Sequence, residues 1–357
     1  MHDDILIRRE GAWGVITLNR PQALNALTED MCAHIAGALN KWRDAPEIEA
    51  VLIEGAGEKA FCAGGDIRWL YDTSREDPAR AAEFFRTEYK MNSLIHHFPK
   101  PYVALMDGFT MGGGVGVSIS ASHRVVTERT LFAMPETGIG LIPDVGGSWF
   151  LPRLDGGLGF YMGLMGARAS GADCLHAKIA THFVAGDDLA GVKEKLLAGS
   201  GSQKVIDDVM ADAASKPESQ FEKDRPVMDA LFADVPDIAS LVAKLEAAKD
   251  NPAKDDSDSQ AFAEKQLKFL SRLSPSSLAI SCDLLNRAKG KDFDDCLRME
   301  FRITKRLLEG SDFHEGVRAL IIDKDKSPKW DPANLNGIDP EKIANYFAPL
   351  GDEELNL

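Results

Sequence analysis

The chain lacks the local signatures of most hydrolytic and nucleotide-driven chemistry. No G-x-S-x-G elbow occurs in its 357 residues: Ser118 and Ser148 each follow a glycine by two positions, but neither precedes one by two. None of its eight histidines takes H-E-x-x-H or comparable metal spacing, so no metal site is expected. Neither G-x-x-x-x-G-K-S/T nor a properly placed G-x-G-x-x-G is present, which sets aside nucleotide-phosphate loops. The five cysteines (Cys32, Cys62, Cys174, Cys282, Cys296) are odd in number and form no C-x-x-C. That excludes a disulfide framework and a zinc cluster, and it suits free thiols in a reducing compartment. Positive charge is scarce, 41 Lys and Arg against 56 Asp and Glu, for a net charge of -15. Such a surface repels phosphates, so neither nucleic acid nor an anionic membrane is an expected partner. Long apolar runs are missing as well; the nearest, over 103–121, is broken by Asp107 and five glycines. The first residues, with Asp3, Asp4 and then Ile5-Leu6-Ile7, look like neither a secretory signal nor an Arg-rich transit peptide. A cytoplasmic protein is the resulting expectation.

What remains is ordinary globular material, 44% hydrophobic and 27% charged, long enough for one large domain with an appendage or for two domains. Residues 5–18 read as two strands joined at Gly11. Thr28 is placed to cap a helix carrying Met31, Ile35, Leu39 and Trp42 at helical spacing. Ala50–Ile53 is a compact apolar strand, followed by a glycine-bearing loop from Gly55 to Gly65. A helix over 79–97, a strand over 101–105, a short helix after the triple glycine and a strand over 124–127 come next. This strand–strand–helix rhythm predicts an α/β core whose parallel strands are joined by crossover helices. His96-His97, at a helix end, reads as dipole compensation or simple solvation. From about 157 the pattern turns helical. A polar connector is expected over 249–260; its acidic cluster lacks the glycine and terminal Glu of a calcium loop. Helices are expected again over 261–273 and 276–310.

Three segments stand out chemically. They are Ala60–Arg68, containing Gly64-Gly65-Asp66; Asp107–Gly116, containing Gly112-Gly113-Gly114; and Phe132–Gly147, containing Glu136 and Asp144. Two glycine-rich loops with free N–H groups can converge on one carbonyl oxygen, and glycine lets substrate approach the main chain. An acyl carbonyl that gains negative charge needs such a pair; losing one donor costs about 3–4 kcal/mol of transition-state binding. The third segment adds two carboxylates on a Gly/Pro-rich loop. The same residues also admit plainer roles: tight turns for the glycines, a helix cap at Val145 for Asp144, a surface loop for Glu136.

These segments resemble the crotonase (enoyl-CoA hydratase/isomerase) superfamily. F-C-A-G-G-D-I is similar to its first oxyanion loop and M-G-G-G-V-G to its second. Arg20–Leu27 resembles its N-R-P-x-x-x-N-A-L stretch, along which the CoA nucleotide lies. The likeness runs from residue 5 to about 185 and returns at 313–320 and 324–330, while 190–260 matches little. It implies a spiral of ββα units over 1–190 and a mainly helical region over 191–357 that covers the acyl site. It implies Gly65 and Gly113 as oxyanion donors, Gly64, Asp66, Ala26 and Leu24 as substrate contacts, and assembly into trimers or hexamers. No cofactor is implied, CoA being part of the substrate. Gly116 stands where hydratases carry a catalytic Glu, whereas the second hydratase Glu is kept as Glu136. Asp144, where hydratases have a small residue, resembles the branch that hydrolyses the 3-hydroxyisobutyryl-CoA thioester in valine breakdown. The Phe84–Tyr89 segment and the Lys-Asp-Lys-Ser-Pro-Lys-Trp tail are similar to that branch too. Glu88 matches its substrate-binding Glu, although by helical position alone it reads as solvent-facing.

In that reading Glu136 attacks the thioester carbonyl or deprotonates a water that does, while Asp144 and Glu88 hold the 3-hydroxyl. 3-Hydroxypropionyl-CoA is a second expected substrate. An enoyl-CoA hydratase or isomerase with Glu136 as sole base is the nearest rival, and a non-catalytic RNA-binding member of the superfamily a remote one. Trp69, Phe109 and Trp149 are candidates for the acyl-pocket walls.

Overall fold

The computed structural model describes residues 4–250 and 257–357. Its first two strands, β1 (Ile5–Glu10) and β2 (Trp13–Leu18), form the expected antiparallel hairpin, with Ile5 opposite Leu18 and Glu10 opposite Trp13. From β2 onward the sheet is parallel. β3 (Ala50–Gly55), β5 (Tyr102–Met106), β7 (His123–Val126) and β10 (His182–Phe183) follow one another beside it, in the order β1-β2-β3-β5-β7-β10. A second sheet takes the intervening short strands, β4 (Ala60–Cys62), β6 (Phe109–Met111), β8 (Leu131–Ala133) and β9 (Ala169–Ser170). From β3 onward the chain thus gives strands in pairs, one to each sheet: β3 and β4, β5 and β6, β7 and β8. That is the strand–strand–helix rhythm of the sequence in three dimensions.

The central strands read as unbroken apolar runs because both faces of the main sheet are covered. Ile16, Leu18, Val51, Ile53 and Ala104 face a large core shared with α1 (Glu29–Arg43) and α3 (Pro78–His96). Trp13, Val15, Leu52, Val103 and Val125 face the helices Leu189–Ala198 and Gln203–Ala213 on the other side. Thr28 caps α1 as expected, its side chain accepting from the Met31 N–H. The loop expected over 55–65 contains β4, and a helix, α2 (Ile67–Glu76), starts directly after it with Asp66 as its cap.

Two boundaries in the C-terminal half differ from expectation. The single helix over 276–310 is two, Pro275–Arg287 and Phe293–Leu308. The break falls at Gly290, which takes φ +80°, and Asp292 caps the second helix. The polar connector is shorter than expected, since a helix begins at Ser257 with Asp258 in its first turn, where the helix dipole favours an acid. Residues 251–256, the middle of that connector and of its acidic cluster, lie outside the described residues. All five cysteines are free and buried. Among the described residues, no helix is long and apolar enough to cross a membrane.

Candidate active site

Two glycine loops meet where the spiral brings the ends of β4 and β6 together. The first is tied to the 24–27 segment: Ala63 N–H donates to Leu24 O, Leu27 N–H to Gly64 O, and Asp66 N–H to Leu27 O. In the second, α4 (Gly113–Gly116) opens directly from the triple glycine. The loops all but touch; a Cβ on Gly112 would lie 3.3 Å from Gly64 Cα and 3.4 Å from Glu136 Oε1. Among the described residues the N–H groups of Gly65 and Gly113 have no acceptor within the chain. Gly113 is the first residue of its helix, where such a donor is free by construction.

Three carboxylates border the same cavity. Glu136 leads a tight turn after β8 (Glu136–Ile139), held by the Leu141 N–H on the Glu136 carbonyl and by Thr137 Oγ1 on Leu164 O. Glu88 comes from α3, and its Oε1 lies 2.4 Å from where a Gly113 side chain would begin. Asp144 follows on the next loop, its Oδ2 accepting from the Tyr89 hydroxyl at 2.5 Å. Glu88 is 2% exposed, and Glu136 and Asp144 are each 5% exposed. One oxygen of Glu88 and one of Glu136 are buried with no hydrogen-bond partner among the described residues. Buried carboxylates normally find partners, so two left-over oxygens on residues that line one cavity mark it as a candidate site.

Burial raises the Glu136 carboxyl well above the ordinary glutamate range, and the charges of Asp144 and Glu88 add to the shift. Glu88 is raised for the same reasons, burial first and Asp144 second. Asp144 is pushed up to about 6 by burial, a rise that the Tyr89 hydrogen bond opposes. A base raised in this way is stronger near neutral pH than a solvated glutamate.

The structure therefore gathers Gly64, Gly65, Gly113, Glu88, Glu136 and Asp144 around one cavity. Its apolar walls include Ile67, Leu70, Phe84, Phe85, Ile139 and Leu141. Glu88 is not solvent-facing: it lies on the cavity side of α3, its Oε1 against Gly113, while Tyr89 beside it meets the helix Phe293–Leu308. Nor does Asp144 cap a helix with its side chain: α5 (Gly147–Phe150) starts after Gly146, and the Asp144 carboxylate turns to Tyr89 instead. Asp66, Ala26 and Leu24 stand behind the wall. Asp66 caps α2 and pairs with Arg20 at 3.0 Å, while Arg20 also donates to the Ala26 carbonyl. The expected wall residues lie elsewhere. Trp69 packs beside Phe84 under Arg80, Trp149 packs on His96 and Phe293, and Phe109 sits two residues back along β6 from the lining Met111. His96 stacks on Phe293 with ring centroids 4.0 Å apart, so it is a packing residue.

Reasoning from sequence missed Tyr89, although it stands in the segment singled out, and also Asn92, one helical turn beyond Glu88. Asn92 is fully buried, with neither amide atom partnered among the described residues. It closes position 116: a Cβ on Gly116 would lie 2.7 Å from Asn92 Nδ2 and 2.8 Å from Val145 Cβ. Spacing from Glu88 was the available signal.

A ββα spiral with an acyl cavity between two glycine loops defines an acyl-CoA enzyme class, and similarity agrees. A family model described as Enoyl-CoA hydratase/isomerase matches residues 13–347, and the chain belongs to that family. The human protein named 3-hydroxyisobutyryl-CoA hydrolase, mitochondrial, is 44% identical over 356 residues, covering 99% of this chain and 91% of the relative. The bovine protein of the same name is 45% identical over 355 residues, with the same coverage of both chains. Among solved structures, an enoyl-CoA hydratase from Rhodobacter sphaeroides 2.4.1 superposes with a TM-score of 0.89 at 41% identity, covering 99% of this chain and 100% of that one. A carnitinyl-CoA dehydratase from Mycobacterium thermoresistibile gives a TM-score of 0.90 at 38% identity, covering 99% of both chains. The expectation of a cytoplasmic protein is overturned by these curated relatives, which are named as mitochondrial.

Proposed function

We propose that this chain hydrolyses the thioester of 3-hydroxyisobutyryl-CoA to CoA and 3-hydroxyisobutyrate, an acid of valine breakdown, and accepts 3-hydroxypropionyl-CoA as well. The relatives named as hydrolases support the reading at 44–45% identity. Fold does not decide it, since solved structures of the same shape bear hydratase and dehydratase names. The observation that carries it is position 116. A hydratase of this family holds the other of its two catalytic carboxylates there, and here Asn92 and Val145 leave no room for a side chain.

The thioester oxygen lies between the Gly65 and Gly113 N–H groups, which stabilise the charge it gains. The unpartnered oxygen of Glu136 either attacks the carbonyl carbon, expelling CoA thiolate and leaving an anhydride that water opens, or takes a proton from an attacking water. Both routes consume one water and release one acid and one thiol. Glu88 and Asp144 hold the 3-hydroxyl. Leu24 and Ala26 lie along the CoA nucleotide, with Gly64 and Asp66 shaping the loop beneath the acyl group. CoA enters as substrate, and no cofactor takes part. Trimeric or hexameric assembly belongs to the same reading, and light scattering reads it directly.

Thiol release and loss of enoyl absorbance, measured side by side, test the proposal. Rapid thiol release from 3-hydroxyisobutyryl-CoA with crotonyl-CoA untouched is the expected result. Hydration of crotonyl-CoA without thiol release would replace the hydrolase with a hydratase.

A further inference from the structure

The loop that carries Asp144 is gripped from behind by a carboxylate outside both glycine loops. Glu300 lies midway along the helix Phe293–Leu308 and is 0% exposed. Its Oε2 accepts from the Gly146 N–H at 2.9 Å. Its Oε1 accepts from the Ser148 N–H at 3.0 Å and from the Ser148 hydroxyl at 2.5 Å. Among the described residues no Lys, Arg or His pairs with it; burial pushes its carboxyl up to about 8, a rise that these three donors oppose. A buried carboxyl in that position holds its donors firmly, because losing one leaves acceptor capacity and a backbone N–H stranded.

A second observation explains what the grip is for. Val145, between Asp144 and Gly146, has φ +52°, a left-handed conformation that β-branched residues rarely adopt. Strain of this kind persists only where the surroundings over-determine it. Here they do. The Gly146 N–H is fixed by Glu300, the Gly147 N–H returns to the Asp144 carbonyl at 2.6 Å, and Val145 itself is 1% exposed. Relaxing Val145 would swing the peptide on either side of it, and Asp144 is the residue on one of those sides.

We propose that Glu300 is a positioning residue: by holding Gly146 and Ser148 it maintains the left-handed Val145 turn, and through it the orientation in which Asp144 meets Tyr89 and the acyl 3-hydroxyl. The inference rests on the reading of Asp144 given under the proposed function. Glu300 itself touches no substrate. An anchor for helix packing alone would change stability without changing which acyl group is preferred.

Glu300→Gln keeps the side chain's shape but turns an N–H toward a donor. Its kcat on 3-hydroxyisobutyryl-CoA falls by about ten- to a hundredfold, the scale of a small displacement of a catalytic group. Its preference for the hydroxy ester over isobutyryl-CoA falls with it. Glu300→Gln/Val145→Gly recovers most of both, measured against Val145→Gly, because glycine holds positive φ without strain. A crystal structure of Glu300→Gln shows Val145 leaving the left-handed region. Wild-type kcat and preference in Glu300→Gln would overturn the proposal, as would a loss of kcat with the preference intact and no recovery in the double variant. Should Glu300→Gln fail to fold, Ser148→Ala removes one donor only and is judged by the same two quantities. A wild-type protein that releases no thiol from the hydroxy ester defeats the functional reading instead. The Val145 conformation in Glu300→Gln still decides the grip.

Discussion

The Tyr89 hydroxyl donates to Asp144 Oδ2 at 2.5 Å, joining α3 to the loop that closes the acyl cavity. Tyr89 follows Glu88 directly, so one helix both supplies a carboxylate and steadies its neighbour. A donor to the charged form of an acid lowers its pKa, and this bond, with a weaker backbone hydrogen bond, holds the rise of Asp144 to about 6. Tyr89→Phe removes it. The Asp144 pKa then rises, and the acid limb of the kcat/KM profile moves to higher pH by about one unit, the worth of a hydrogen bond to a charged group. A pH–rate profile of the variant against wild type checks this; an unmoved acid limb would separate Asp144 from the rate.

Glu136→Gln preserves the size of the side chain while removing its basicity and nucleophilicity. Affinity for a non-hydrolysable CoA ester stays within about threefold of wild type, while kcat falls by about a thousandfold. Isothermal titration and stopped-flow thiol detection give the two numbers. Unchanged turnover would remove Glu136 from the chemistry.

Gly116→Glu does not produce a hydratase. Its Cβ meets Asn92 and Val145 at under 3 Å, and overpacking of a buried site costs about 1–3 kcal/mol in stability. The variant is expected to melt at lower temperature, to lose thioester hydrolysis and to leave crotonyl-CoA unhydrated. Enoyl absorbance and a thermal melt provide the check.

The buried glutamates also set a pH dependence of stability. Glu88 and Glu136 have folded-state pKa values raised above 4.5. The folded protein therefore holds more protons than the unfolded chain above that pH, and this contribution to stability declines as pH rises through the window. Glu136→Gln escapes the decline. Its Tm at neutral pH is expected to exceed wild type by about 2–4 °C. The gap should narrow as pH falls to 4.5 and below, where the unfolded chain's glutamates take up protons as well. A gap that widens on acidification would reverse the sign of the argument.

Local signals made the scaffold and the glycine loops readable before any coordinates. Thr28 precedes a helical repeat and caps it, Gly11 divides two strands that pair, and the triple glycine opens a helix as its N–H groups require. Glu88 was ambiguous because α3 is covered on more than one side, burying Phe84, Phe85, Glu88, Tyr89 and Asn92 alike. No helical period separates a solvent face from a site face in such a helix. The contacts that shape the site are long in sequence: Glu300 reaches Gly146 across 154 residues, and Asn92 meets Gly116 from another element. Burial of a charged residue by distant segments, as Gly113 buries Glu88, leaves no mark on its neighbours in the chain.

The central claim is that the carboxylates beside the oxyanion loops recognise the 3-hydroxyl of a thioester that is then hydrolysed. The most direct test compares kcat/KM for thiol release from 3-hydroxyisobutyryl-CoA and from isobutyryl-CoA, identical except for that hydroxyl. A site whose buried polar groups are matched to a substrate hydroxyl should favour the hydroxy ester by about a thousandfold or more. Equal rates on the two esters would contradict the account, leaving Glu88 and Asp144 without the role assigned to them.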